Sequence, residues 1–467
     1  MKTMSVSLPR AQSRGLLRPK VTAVIVFSVC ILVAASMLQA KPRTNSPPVK
    51  ETALLATQTP ATAGIGAGLR AGVAKVDITP QKPVKMSGYA GRTGLSQGVH
   101  DPLSARVVAF ENNGKRLVLV STDIIGFYDG TADYLRKAIL DEFKLVPSEL
   151  FLAAIHTHSA PSPTIDQEKG HPNNVEYTEG LKAKLIEAIH NAFNNMGPVH
   201  LGCGVGYCPI GANRRELNIS PTGESSIRLG RNPYGPTDKE VLVIKLAKAD
   251  GDAVAALFDY ATHATCLGPR NYAISGDVLG LAEQFVEKIL GGDTIAPAFA
   301  GASGNIDPWF RVLPGFNDEP GWIPEPVLLG TMLGEEVVHV FRGIKSTQAG
   351  GEIRTAFVML ELPSKPKDKT AVEKDLPSTP LAVTAGRIGD IAFVGIGCEV
   401  LTEIGMAIKA ASPYKQTFVI THCNGAAGYL PPQQLYIEEG YEVRSSHFAP
   451  TAADIVVKQA VKMLHEL

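Results

Sequence analysis

A chain of 467 residues and 49.6 kDa is long enough for one large core or two domains. Apolar residues make up 45% and charged residues 19%, ordinary for a folded globular protein. Lys plus Arg and Asp plus Glu both total 45, so no basic excess points to nucleic acid, and no nucleic-acid partner is expected.

The chain opens on a basic leader with Lys2, Arg10, Arg14, Arg18 and Lys20, followed by the uncharged, mostly apolar run Val21 to Ala40. Such a pattern is an export signal cleaved after Ala40, or a retained membrane anchor. Export is expected either way, leaving the chain secreted, periplasmic or anchored. Residues 41–68 are rich in Pro, Thr, Ala and Gly with no apolar period and read as a flexible tether. Beyond Cys30 in the leader, five cysteines remain: Cys203, Cys208, Cys266, Cys398 and Cys423. An oxidising compartment permits a Cys203–Cys208 bridge, whereas the lack of any CxxC pair argues against a thiolate zinc knuckle.

From residue 69 strand-like and helix-like stretches alternate. "RVVAFENNGKRLVLVST" predicts a hairpin around Asn113-Gly114, and "TADYLRKAILDEF" has helical spacing. "ELFLAAIHTHS" is a short apolar strand, and "VEYTEGLKAKLIEAIHNAFNNM" an amphipathic helix on which His190 is incidental. "KEVLVIKLAKADGDAVAALFDYATHA" repeats the hairpin pattern around Asp250-Gly251. A helix "LGLAEQFVEKIL", a strand "TIAPAFAGA" and a helix "VLLGTMLGEEVVHVFRGI" follow. The last third offers strands "IRTAFVMLEL", "IAFVGIG" and "QTFVIT", helix "LTEIGMAIKAA", and a final helix from Thr451. "PSKPKDKTAVEKD" reads as a solvated loop. This order predicts an α/β fold, with a mixed-sheet α+β arrangement as the variant, in one large domain over 69–467. No internal repeat stands out.

Three apolar strands end in groups able to hold a metal. "FLAAIHTHSAPS" ends in His156 and His158, which strand alternation would aim to one face. "AALFDYATHATC" ends in His263, and "IAFVGIGCEV" in Glu399. Imidazole nitrogen and carboxylate oxygen are the usual donors of catalytic zinc, and sheet proteins place sites beyond strand carboxyl ends. Zn2+ is the cofactor expected there.

"AGVAKVDITP", "HTHSAP", "ANRRELN", "DYATHATCLGPRNYAISGD", "GASGNIDPW", "GIGCEV" and "GYLPPQQLYIEEGYE" together resemble the neutral (non-lysosomal) ceramidases and their bacterial relatives. The resemblance implies a zinc-dependent hydrolase of linear amides, with water activated by the metal and an N-acyl lipid such as an N-acylsphingosine as substrate. It implies His156, His263, Glu399 and Tyr429 as zinc ligands. By residues alone, Tyr429 would be a packing group beside a Gly-rich turn. His158 becomes the proton carrier, and Arg214 and Tyr441 join it in polarising the amide carbonyl. Arg215, next to Arg214, leaves that assignment open by one, and both arginines otherwise read as solvated loop charges. Asp277 either orients a ligand histidine or caps the following helix.

Two departures stand out. Asp307 in "GNIDPW" occupies the family's serine position, where it serves as a base or an orienting group. The family's C-terminal immunoglobulin-like domain has no counterpart before "VVKQAVKMLHEL" ends the sequence. The expected partners are an amphiphilic lipid and a membrane surface. Four rivals are weighed. Ser303 in "GASGN" would suit a serine hydrolase, but Asn305 breaks G-x-S-x-G. Ala160 and Pro161 break a dinuclear HxHxDH pattern. A secreted binding protein on a degenerate scaffold and a hydrolase of some other amide or ester stand as the alternatives.

Overall fold

The computed structural model describes residues 68–310, 325–365 and 377–467. The leader, the tether up to residue 67 and most of the loop "PSKPKDKTAVEKD" lie outside the described residues.

Three stretches of chain build the same unit. Each lays down three antiparallel strands, crosses over through a helix, and returns with a fourth strand parallel to the third. In the first unit the strands are Arg70–Asp77, Ser104–Asn112, Lys115–Thr122 and Leu150–Ala154, with Thr131–Phe143 as the crossover helix. The second uses His200–Tyr207, Glu240–Ala247, Ala253–Tyr260 and Ala298–Ala300 around helix Asp277–Leu290. The third uses Ile353–Pro363, Ser378–Ile388, Ile391–Ile396 and Gln416–Ile420 around helix Thr402–Ala411. A second helix follows each unit: Pro172–Asn194, Glu325–Gly343 and Ala452–Glu466. The α/β expectation holds, with mixed sheets. The expectation of no internal repeat fails, because the repetition lies in topology and not in residue identity.

Local chemistry explains the hairpins. Asn113 and Gly114 both take positive φ, 51° and 74°, as a two-residue turn between twisted strands demands. Gly251 closes the second hairpin by donating its N–H to Lys248 carbonyl, and a bulge sits between Leu246 and Ala247. The third hairpin turns at Gly389 and brings in Ser378–Ile388, a strand absent from the sequence reading.

Strand alternation then buries both faces of each sheet. Leu117 and Leu119, Leu242 and Ile244, and Phe393 and Phe418 point inward to one central cluster shared by all three sheets. Their neighbours Val118 and Val120, Val241 and Val243, and Ala392 and Val394 point outward under each unit's own helices. Three sheets thus meet back to back around a common core.

The Cys203–Cys208 bridge is not formed, and all five described cysteines are free. Cys203 lies within the extended strand His200–Tyr207 and Cys208 just beyond it. Five extended residues separate Cα atoms by roughly 16 Å, far past disulfide reach. His190 is an exposed helix residue beside Glu142, as expected.

Asp259, buried on the second sheet, lies 3.8 Å from Lys409, whose ammonium already holds Asp238 and Glu240 at 2.8 and 3.1 Å. Burial outweighs the pull of that shared cation and pushes the Asp259 carboxyl up to about 8. The folded state therefore holds a proton here between pH 4 and 8 that the unfolded chain has released, so stability falls as pH rises through that window. Asp259→Asn should stabilise the protein by roughly 1–3 kcal/mol at pH 8 and by much less at pH 5, read from denaturant unfolding.

Candidate metal centre

The third and fourth strands of each unit run parallel, so their carboxyl ends share an edge, and loops leaving that edge carry the site. Backbone bonds stitch the three edges together in pairs. Thr157 bridges Ala264, Ala153 bridges Cys423, and the Gly304 N–H donates to Val400 carbonyl at 2.7 Å. Asn424 reinforces the Ala153–Cys423 junction, accepting from Leu152 N–H at 3.0 Å and donating to Leu150 carbonyl at 2.7 Å.

His156 arrives by a different route from the expected one. Its strand ends at Ala154, and His156 takes φ 61°, so strand alternation does not aim it. A left-handed residue other than glycine costs roughly 1–2 kcal/mol and persists only where its surroundings fix it. Here the fixing bond is 2.6 Å from Nδ1 to the Ile125 carbonyl. His263 is held likewise, with Nδ1 donating to Ser303 carbonyl at 2.8 Å. A carbonyl only accepts, so each Nδ1 carries the proton and each Nε2 presents a lone pair.

Both lone pairs meet Glu399. Its Oε2 lies 3.5 Å from His156 Nε2 and 3.6 Å from His263 Nε2. These separations are too long for good hydrogen bonds and close to the roughly 3.3 Å between neighbouring donors around tetrahedral zinc. Oε2 has no hydrogen-bond partner, although Glu399 is buried. The other oxygen accepts from the Tyr128 hydroxyl at 3.3 Å. Burial alone would raise this carboxyl, but positive charge on the facing imidazoles, His156 foremost, holds it well below its ordinary range. An ionised carboxylate with an unpartnered oxygen and two oriented imidazoles fit a divalent cation.

Tyr429 pairs directly with Glu399 in a short parallel bridge and accepts from Arg214 Nη2 at 3.1 Å. His158 brings its Nε2 to 3.2 Å from His156 Nε2, and its Nδ1 is buried without a partner. The ambiguity between the two arginines resolves. Arg214 spans the site, with Nε on Glu442 at 2.8 Å and Nη1 near both Asp307 at 3.2 Å and His263 Nε2 at 3.3 Å. Arg215 turns away to Glu442 and the Glu439 carbonyl. Neither is a solvated loop charge: both are buried on strand Gly211–Ile219.

Asp307 is fully buried between Arg214 and Arg231, a position that orients Arg214. Tyr441 sits at the margin, 40% exposed, with its ring 5.5 Å from that of Tyr429 and under the Arg214 guanidinium. Asp277 orients no ligand histidine. As first residue of its helix, after the cap Gly276, it accepts from the backbone N–H groups of Cys266, Leu267 and Val278 and so pins the loop after His263. Ser303 contributes its carbonyl to His263 while its Oγ stays buried without a partner.

Sequence reading missed His422, Tyr128 and Glu442. His422 carried a legible signal: "QTFVIT" is a fourth apolar strand that runs into a histidine. Two donor triads, His156–His158–His263 and His156–Glu399–His422, each hold their ligand atoms within 4.8 Å. Tyr128 and Glu442 carried none, since each matters only through a partner hundreds of residues away.

Gly88 explains how the His158 ring fits. At φ 95°, a Cβ there would lie 2.3 Å from His158 Nδ1. Gly88→Ala should therefore displace the imidazole and cost about 3 kcal/mol in denaturant unfolding, with a shifted His158 ring signal in NMR.

Residues 69–306, just over half the chain, match the family model described as neutral/alkaline non-lysosomal ceramidase, N-terminal. The chain is 27% identical over 232 residues to neutral ceramidase 1 of Arabidopsis thaliana, a match covering 46% of this chain and 28% of that protein. It is 27% identical over 262 residues to the neutral ceramidase of Pseudomonas aeruginosa, covering 53% and 38% respectively. The match thus spans well under half the length of these relatives. The crystal structure of the Pseudomonas aeruginosa enzyme superposes with a TM-score of 0.68 over 85% of this chain and 74% of that one, at 19% identity, so the fold is shared. With those motifs, that fold and that family match together, the chain belongs to the neutral/alkaline non-lysosomal ceramidase family.

Proposed function

We propose that this protein is a metal-dependent hydrolase of a linear amide, with zinc as the metal and a ceramide-like N-acyl amphiphile as the substrate class. One observation carries the reading: His156 Nε2, His263 Nε2 and Glu399 Oε2 converge from three separate units, and Glu399 Oε2 is buried there without a hydrogen-bond partner. His156, His263 and Glu399 would hold the cation, with Tyr429, paired beside Glu399, as the fourth donor that the family resemblance implies. A cation bound there supplies Lewis acidity, which acidifies a water and polarises a carbonyl.

The chain's own groups supply the rest. Arg214 presents a cationic guanidinium beside the donors, fixed by Glu442 and Asp307, so it needs no reorganisation when negative charge develops on the substrate oxygen. Burial would lower its pKa, but Tyr429, Asp307 and Glu442 hold it well above the ordinary value, and it stays charged. His158, whose Nε2 faces the same point, is placed to carry a proton between water and the leaving nitrogen. Tyr441 at the half-exposed margin would meet the substrate's outer part. Asp307, locked between two arginines, acts by orienting Arg214, so the missing family serine leaves the proposed route to hydrolysis open. Export by the leader and contact with a membrane surface belong to the same proposal; among the described residues no helix is long and apolar enough to cross a membrane.

Metal analysis of the purified chain is expected to give about one zinc per chain, with hydrolysis of ceramides or other N-acyl amides lost in His156→Ala. Bound zinc without turnover on a broad amide and ester panel would favour a binding scaffold instead. Arg214→Lys should lower kcat by roughly a hundredfold while leaving zinc content unchanged, because lysine cannot reproduce the fork that reaches Glu442, Asp307 and Tyr429 together.

A further inference from the structure

His158 is held differently from the two histidines beside it. His156 and His263 each tie Nδ1 to a backbone carbonyl, whereas the His158 Nδ1 is buried without a partner. No hydrogen bond from behind therefore turns its ring. Its place depends on the backbone and on one neighbouring loop. The His158 N–H donates to the Ala264 carbonyl at 3.1 Å. Gly88 leaves room for the ring, and the Tyr89 ring meets it edge-on with centroids 5.0 Å apart. That loop lies along the chain that follows His158: Met86 bridges Pro161, and the Ser87 N–H donates to the Ala160 carbonyl at 3.1 Å.

Arg92 closes the loop on the histidine. Its Nη2 donates to the His158 carbonyl at 2.5 Å and also to the Ser87 carbonyl, and its Nη1 donates to the Asn271 carbonyl at 2.9 Å. The guanidinium lies over the Tyr89 ring, 5.1 Å from its centroid. Asn271 in turn donates to Ser159 Oγ at 2.9 Å. Each of these contacts leads to His158, directly, through the Ser87–Tyr89 segment, or through Ser159. Electrostatics sets Arg92 apart from Arg214 and Arg215. It is only 7% exposed, yet among the described residues no carboxylate lies within ion-pair reach of it, and burial pulls its pKa down. A cation buried without a counter-charge is costly. What the fold gains is a rigid planar fork, able to hold carbonyls from three segments at once.

We infer that Arg92 is the positioning residue of His158: by gathering the His158, Ser87 and Asn271 carbonyls it keeps the imidazole beside the metal centre, where Nε2 stands 3.2 Å from His156 Nε2. Its hydrogen bonds reach none of His156, His263, Glu399 or Tyr429, so it acts on proton transfer and not on metal binding. Misplacing a catalytic group by about 1 Å costs roughly a hundredfold in rate. The inference rests on the role given to His158 above, while the clamp itself is independent of the substrate.

The test compares Arg92→Met and Arg92→Lys with the parent in the full chain, by NMR of the histidine rings and by hydrolysis of N-acylsphingosine. In Arg92→Met the His158 ring signals should shift and broaden, while those of His156 and His263 and the zinc content stay as in the parent. Its kcat should fall roughly a hundredfold with KM within about threefold. The double variant with His158→Ala should be no slower than His158→Ala alone, because the arginine acts through that ring. Arg92→Lys keeps the charge but cannot span three carbonyls, so it should fall between, and it carries the comparison if Arg92→Met does not fold. The parent gives a reading without any variant: the Arg92 Nη protons, bonded to carbonyls, should exchange slowly with water. Fast exchange there would overturn the inference. So would unchanged His158 signals in either folded variant, or rate losses that multiply in the double variant. Slow exchange and shifted His158 signals in a chain that hydrolyses no amide would uphold the clamp and sink only the proposed function.

Discussion

The structure turns on an electrostatic constraint: a carboxylate and several imidazoles are buried together with their lone pairs facing one another. Each member is held from behind. Ile125 and Ser303 carbonyls fix His156 and His263, the Tyr128 hydroxyl holds the far oxygen of Glu399, and Glu442 with Asp307 fixes Arg214. Arg214 Nη1 reaches His263 Nε2, but Glu399 Oε2 stays buried without a donor, which is unfavourable in a low-dielectric interior. A divalent cation removes that conflict at one stroke, which is why the cluster is better understood as a prepared centre than as a set of satisfied core histidines.

The threefold repetition of one strand–helix unit supplies that geometry. A single sheet could offer only its own switch point. Three sheets packed around one core bring three such edges together, and the loops there are bonded in pairs across the units. Donor-bearing side chains recur at matching places: His263 and Glu399 each lie three residues past a third strand, and His156 and His422 each two past a fourth. The third strand of the first unit is followed, also at three residues, by Ile125, whose carbonyl orients His156. The units therefore place donor groups and the carbonyl that orients one of them at equivalent positions.

Much of this was readable in the sequence, and the limits have physical causes. Alternating apolar runs and the Asn113-Gly114 and Asp250-Gly251 turns gave most elements, since both are local signals. Strands ending in His156, His263 and Glu399 disclosed three donors. His422 obeys the same rule but stands one residue beyond the apolar run that ends at Thr421, where the local pattern already breaks. The left-handed turn at His156 was invisible, because it depends on an Ile125 carbonyl supplied by another loop. The repetition was hidden because its units share topology and not residues. Tyr128, Glu442 and the burial of Arg214 and Arg215 depend on long-range ion pairs, which no local pattern encodes.

Anomalous diffraction at the zinc edge from crystals of the zinc-loaded chain tests the central claim most directly. The account requires one peak within bonding distance of His156 Nε2, His263 Nε2 and Glu399 together. A peak elsewhere, or none in fully loaded crystals, would contradict it.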